Sequence, residues 1–242
     1  MVLYIASYLY GHNMRAERRS KDSIMEKYKK YNVINWIMGN LICMLGIAFA
    51  TKANFGLSMI AAGPYILHVY FRESFAWFTQ GTAEYFYEAL VLIIACIIIK
   101  KFELKYLLTF AEAIFAGFIL DGWFLVLGGN APAESLTLRI IYFALSLIIV
   151  GLGVAFFFRT SLPLQSYDFA VVKIAERYGF SQAKTKFAND AIMLAVSLIL
   201  SFALTKKLTG IGIGTVIATA LNAYIISLWG KVLDKFELKY QA

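Results

Sequence analysis

Apolar residues in this chain fall into long, nearly unbroken runs, without strand-like alternation or a one-sided helical stripe. Windows near 33–51, 81–100, 105–127, 138–158, 186–205 and 210–232 stay apolar almost throughout. A helix needs about 20 such residues to cross roughly 30 Å of hydrocarbon, so the pattern predicts six transmembrane helices. Two weaker segments, 57–71 and 164–178, are too short. Each would reach only about 22 Å as a helix. The second lies within "SLPLQSYDFAVVKIAERYG", a polar interruption between two greasy runs. The expected fold class is therefore an all-α polytopic membrane protein, with six transmembrane helices plus two short half-helices, re-entrant or interfacial, in two inverted repeats.

The repeat is read from polar and special residues, because apolar helices align with anything. Gly46 matches Gly153, Lys52 matches Arg159 and Leu57 matches Leu164, all at an offset of 107 (159 − 52 = 107). Farther on, Glu84 matches Asp190, Lys100–Lys101 match Lys206–Lys207, Thr109 matches Thr215 and Trp123 matches Trp229, at an offset of 106 (229 − 123 = 106). Each half then reads as span, half-helix, span, span. An odd number of crossings inverts the second copy, the plan on which many secondary transporters are built. The expected organisation is an arm at 1–31, repeat 1 at 32–127, repeat 2 at 138–232 and a tail at 233–242.

Composition excludes a soluble domain: 60% of the 242 residues are hydrophobic, mean hydropathy is +0.68 and only 16% are charged. The net charge of +8 does not indicate nucleic acid, because the Lys and Arg residues cluster at the ends of apolar runs. With six spans, Lys100, Lys101, Lys105, Arg159, Lys173, Arg177, Lys184, Lys186, Lys231 and Lys235 share the face of the N-terminal arm. The positive-inside rule makes that face cytoplasmic and places both termini there. Lys206 and Lys207 fall on the other side, where the inverted copy of Lys100–Lys101 belongs. "KFELKY" occurs at 101–106 and 235–240, both on the cytoplasmic side. The apolar start is short and followed by basic residues, so the first span is expected to direct insertion. The arm carries Arg15, Arg18, Arg19, Lys21, Lys27, Lys29 and Lys30, which suit anionic lipid head groups. Met14 and Met25 are alternative starts.

At "SLPLQSYD" and at "GIGIGTVIATALNAYII" (210–226) the chain resembles the YczE/YitT-like bacterial integral membrane proteins. The features that carry the resemblance are Pro163 with Asp168, then Gly212, Gly214 and Thr215, then Asn222. The chain departs from the Pro-Trp-Asp core of many members, having Gln165, Ser166 and Tyr167 before Asp168. The resemblance covers most of 40–232 and implies a bacterial inner-membrane location; genetic context links such proteins to secondary-metabolite production.

No metal-ligand spacing, paired cysteines, phosphate loop or nucleophile–base pair is present in the sequence, so neither an enzyme nor a cofactor or metal is expected. Cys43 and Cys96 read as small apolar fillers, and Gly210 to Gly214 as close packing by small residues. The informative residues are acids. Glu112 sits about 10 Å inside its span. An unpaired intramembrane carboxylate costs at least ~2.5 kcal/mol, so such acids face a cavity, carry a proton or bind a cation. Glu112 and Asp121 are the proton- or cation-coupling candidates, Asp121 with a hydrated interfacial position as its alternative. Glu84 and Glu88 are expected to form interfacial ion pairs with Arg72 and Arg139. Gln165, Ser166, Asp168, Asn40, Asn54 and Asn222 are the ligand-contacting candidates, with helix–helix bonding the competing role for Asn40 and Asn222. Tyr65, Tyr70, Trp77, Tyr85 and Tyr87 could line an entrance or simply pack.

These readings converge on a small secondary transporter or permease for a modest-sized organic solute, proton-coupled, with its site between the repeats. The competing reading is a membrane scaffold or regulator of a biosynthetic or export partner. Lipids, the solute and a second copy of the chain are the partners considered, and nucleic acid is not.

Overall fold

The computed structural model describes residues 31–163 and 165–240. The arm at 1–30, Leu164 and the last two residues lie outside the described residues, so the lipid contact of the arm and the Leu57–Leu164 match do too. The described residues are helical throughout, with turns between helices and no strand. The long helices are α1 (Asn32–Ala53), α3 (Gln80–Ile99), α4 (Leu107–Val126, entered through a 3-10 turn at Leu104–Tyr106), α5 (Leu136–Phe157), α7 (Gln182–Leu200, extended by a π turn at Ser201–Thr205) and α8 (Ile213–Tyr240). Between them lie the short helices α2 (Met59–Phe71) and α6 (Ser166–Tyr178).

Six of these helices are long and apolar enough to cross a membrane, which makes the chain a multi-pass membrane protein. Their boundaries follow local chemistry. Ser58, Thr79, Ser135 and Ser181 each accept a hydrogen bond from a first-turn backbone N–H of α2, α3, α5 and α7. Large apolar side chains such as Ile97, Phe118, Leu125 and Val216 point outward, where lipid would meet them. The segment after 232 forms no separate tail, because α8 continues unbroken through the second "KFELKY" to Tyr240.

The centre is an antiparallel pair, α1 with α5. At the near face, where α1 begins, the Asn32 side chain bonds Thr160 and Ser161. At the far face Arg139 donates to the carbonyls of Ala53 and Asn54, 2.8 Å each. The two helices cross on glycine: a Cβ on Gly46 would lie 2.5 Å from Val150 Cγ2, and one on Gly153 would lie 2.5 Å from Cys43 N. Around this pair, α4 packs on α1 and α8 on α5, α2 packs on α7 and α3, and α6 packs on α3 and α7.

Interactions recur at matching positions. Trp123 Nε1 donates to Leu41 O at 2.9 Å, and Trp229 Nε1 donates to Ile148 O at 3.0 Å. Lys52, buried, donates to Gly129 O and Ala131 O just beyond α4; Arg159, buried, donates to Gly230 O and pairs with Asp234 in α8. Both cations sit at the C-terminal end of the span that carries them, where a helix dipole favours positive charge. Phenylalanine at 123 or at 229 should therefore cost about the same, about 0.5–1.5 kcal/mol each. Thermal melts of the two variants in detergent check this, and a large cost at only one position would count against equivalent roles.

The short helices fold back along the long ones. The chain leaves α5 at the near face and turns inward, Trp36 Nε1 donating to Pro163 O at 3.0 Å. The first N–H of α6, on Ser166, meets Glu88 in the middle of α3, while Tyr178 at the other end of α6 donates to Ile98 O at the end of α3. Helix α6 therefore lies along the inner half of α3, burying Tyr167, Ala170, Val171 and Ala175, and does not lie flat on a face. Helix α2 dips in from the far face. Its Gly63 abuts the Tyr87 ring, and its Ile60 packs on the same core cluster as Tyr87, Tyr167 and Met193. The starts of the two short helices converge there.

Candidate functional site

A helix start leaves backbone N–H groups without intrahelical acceptors. In α6 the flanking Gln165 supplies no side-chain cap, and Glu88 of α3 takes that place: its Oε2 accepts from Ser166 N at 2.7 Å. One turn earlier on α3, Glu84 Oε1 accepts from the Tyr167 hydroxyl at 3.3 Å. The Tyr87 ring lies 6.2 Å from that of Tyr167, and its hydroxyl donates to Met193 Sδ at 3.7 Å.

Helix α4 adds a third acid. The backbones of Gly81 and Gly117 touch, which fixes the antiparallel register of α3 and α4 and sets Glu112 at a level between Glu84 and Glu88. Glu112 lies beside Asn40 of α1. Glu88 is fully buried, and Glu112 and Glu84 are 2% and 3% exposed. Among the described residues none of the three forms an ion pair. Glu88 Oε1, both carboxylate oxygens of Glu112, Asn40 Oδ1 and Gln165 Nε2 are buried without a hydrogen-bond partner. Polar groups left this way are costly.

Of the residues expected from sequence, Gln165, Ser166, Asn40 and Glu112 come together here. Asp168 is turned away, half exposed and 3.4 Å from Lys186, which also pairs with Asp190 at 3.0 Å. Asp121 does structural work: it accepts from Thr79 Oγ1 at 2.6 Å and from Gly81 N at 2.9 Å, completing the cap of α3. Asn54 caps the end of α1 at the far face with a left-handed φ of 52°. Asn222 is on α8, whose main neighbour is α5, and has a buried unpartnered Oδ1 away from the acids.

The expected ion pairs of Glu84 and Glu88 with Arg72 and Arg139 are corrected. Both acids face inward to α6, and Arg139 instead holds two carbonyls and lies over the Phe55 ring. The signal for this was the four-residue spacing, which puts both acids on one face of an otherwise apolar helix. The glycines before α8 pack on a turn: Gly214 N donates to Phe55 O at 2.7 Å. The tyrosine cluster divides, with Tyr87 in the core and Tyr70 and Trp77 exposed. Outside the spans, Glu103 in the first "KFELKY" sits between Lys101, at 2.7 Å, and Lys105, which together hold its carboxyl down at about 2. Cys43 and Cys96 are free thiols. No group of three or more His, Cys, Asp or Glu among the described residues is placed to hold a metal ion.

No solved structure matches the chain. It is 24% identical over 209 residues to "Uncharacterized protein YyaS" of Bacillus subtilis (strain 168), covering 86% of this chain and 94% of that protein. The sequence model of the Family of unknown function (DUF6198) matches residues 30–231, a stretch that holds both short helices and all three buried acids. The chain belongs to the DUF6198 family.

Proposed function

We propose that this protein is a small secondary transporter for a modest-sized organic solute, proton-coupled, working between two inverted halves. The observation that carries the reading is the start of re-entrant α6 set on Glu88, with unpartnered Glu112 beside it. Half-helices ending near the midplane and intramembrane acids are what such carriers use to hold solute and coupling ion.

The inverted repeat is supported by reciprocal contacts. Under an offset of 107, the Gly46–Val150 contact becomes Gly153–Cys43 (153 − 46 = 150 − 43 = 107), and that contact exists. The tryptophan bonds match at offsets of 106 and 107 (229 − 123 = 106, 148 − 41 = 107), and the buried cations Lys52 and Arg159 match at 107, although their carbonyl partners do not. The charge distribution makes the near face cytoplasmic, and the YczE/YitT resemblance agrees with a bacterial inner membrane.

In this reading Glu88 and Glu112 take up protons from one side and release them to the other as the halves rock. The α6 N-terminus stabilises whichever anionic group is present, the Glu88 carboxylate or a solute. Asp168 and Lys186 form the polar lip on the cytoplasmic side.

The test is proteoliposomes loaded with a pH-sensitive dye and offered carboxylates, amines and sugars in turn. A solute that drives proton movement is expected. Glu88→Gln and Glu112→Gln should reduce that movement to background, because glutamine keeps the amide oxygen that can accept from Ser166 but cannot release a proton. Proton movement that persists in both variants would defeat the assignment. A total absence of flux, with a protein partner lost on reversing charge at Lys173 and Arg177, would favour the scaffold.

A further inference from the structure

At the far face three turns enclose a cavity of about 550 Å³, within the size range of small-molecule sites. The turns are distant in sequence: the one joining α1 to α2, the one joining α4 to α5, and the one joining α7 to α8. Its polar lining is Asn54, Tyr65, Arg72, Asn130, Lys207 and Thr209, and no acid is among the lining residues. The acids of the adjoining turns, Glu73 and Glu134, do not line it. Neither Arg72 nor Lys207 forms an ion pair among the described residues.

This cavity is built, and its walls are held from behind. Lys52 pins the α4–α5 turn through Gly129 O and Ala131 O. His68 has Phe78 O within 2.8 Å of Nδ1, which fixes the proton there and leaves Nε2 to accept from Asn130 Nδ2 at 2.6 Å. Leu57 N donates to Gly210 O, and the Ser201 and Thr205 hydroxyls both donate to Lys207 O. The backbone is bent to fit: Asn54, Gly56, Gly129, Lys206 and Gly210, in or beside the wall, all have positive φ. Such conformations persist where the surroundings over-determine them, and they cluster at binding sites. At Gly56 nothing larger fits, since a Cβ would lie 2.5 Å from Gly212 N.

We infer that this cavity binds a small organic anion, through a carboxylate or phosphate group held between Arg72 and Lys207 and oriented by the Asn and Tyr groups. The assignment rests on the transport reading only in naming what is carried; binding itself is a separate property. The two cations come from opposite halves, Arg72 from the end of α2 and Lys207 from the turn after α7, so an anion bridging them would sense their relative movement.

The experiment is calorimetric titration of the full chain in an uncharged maltoside detergent with succinate and with inorganic phosphate. Cadaverine and glucose serve as cationic and neutral controls. Saturable binding of at least one anion is expected, weakening with salt and dropping about tenfold or more in Arg72→Gln/Lys207→Gln. Arg72→Lys should retain binding, which separates charge from folding. Calorimetry on the unsubstituted protein reads this site and dye-reported proton flux reads the transport, so binding without flux, or flux without binding, makes failure of this site and failure of the transport reading distinguishable. No anion binding by folded protein, binding indifferent to the double substitution, or preference for cadaverine or glucose would overturn the inference. So would loss of succinate binding in nanodiscs containing phosphatidylglycerol, which would assign the cavity to a lipid headgroup.

Discussion

Leucine at Gly153 should leave little monodisperse protein in detergent. The α1–α5 crossing is the central interface of the molecule, and lipid offers no hydrophobic drive to hold it together; close backbone packing must do so. A Cβ at position 153 would sit 2.5 Å from Cys43 N and 2.8 Å from Cys43 Cα. Backbone atoms cannot rotate aside, so the helices must separate, and the contacts on either side go with them. The cost should be at least ~3 kcal/mol, the upper range for overpacking a core. Gly46→Leu should behave alike, since its Cβ would meet Val150 N at 2.8 Å. Gly122→Leu is the control: a Cβ there meets nothing within 4 Å. Size-exclusion profiles and melting temperatures of the three variants decide the matter. If Gly153→Leu melts like Gly122→Leu, the crossing is not as tight as described.

Much of this architecture was legible because a bilayer imposes simple length rules. The apolar runs predicted the six long helices to within about four residues at every end but the last, where α8 runs on to Tyr240, and the two short segments fell where α2 and α6 lie. The paired Gly46 and Gly153, Trp123 and Trp229, and Lys52 and Arg159 could be matched because each performs a job that only a few residue types can do. What could not be read was depth. Glu84 lies near the start of α3 with Glu88 one turn further in, and a linear sequence assigns both to the interface. They are buried because α6 folds back along α3 and brings Ser166 and Tyr167 to them, a contact across about eighty residues. The capping contact of Asp121 was hidden for a related reason, since its partners Thr79 and Gly81 come from the start of another helix. Asn222 corresponds to Ala116 in the first half, so no paired role pointed to its place on α8. The far-face cavity was hidden because three separate turns make it, and of its lining the glycines, Asn54 and Tyr65 were singled out in advance, but not as one site.

The sharpest separation of structure from function is expected at Glu112 and Glu88, two buried acids of one cluster that should respond oppositely to methionine. Glu112 has no hydrogen-bond partner for either oxygen. Methionine keeps much of its volume, removes the unmet polar atoms and suits an irregular apolar gap. Glu112→Met should therefore stabilise the fold by about 1–3 kcal/mol, the typical penalty of a buried polar group without a partner. Proton-coupled flux should fall to background in the same protein. Glu88 is different, because its Oε2 accepts the first N–H of α6 at 2.7 Å. Glu88→Met strands that donor at membrane depth and should destabilise by a similar ~1–3 kcal/mol, with Glu88→Gln largely restoring stability but not flux. Melting temperatures and flux measured on the same three preparations give the answer. Stability bought at the expense of activity is the mark of a functional site. If Glu112→Met instead lowers the melting temperature and Glu112→Gln keeps full flux, Glu112 is a structural residue and the proton must travel by another group.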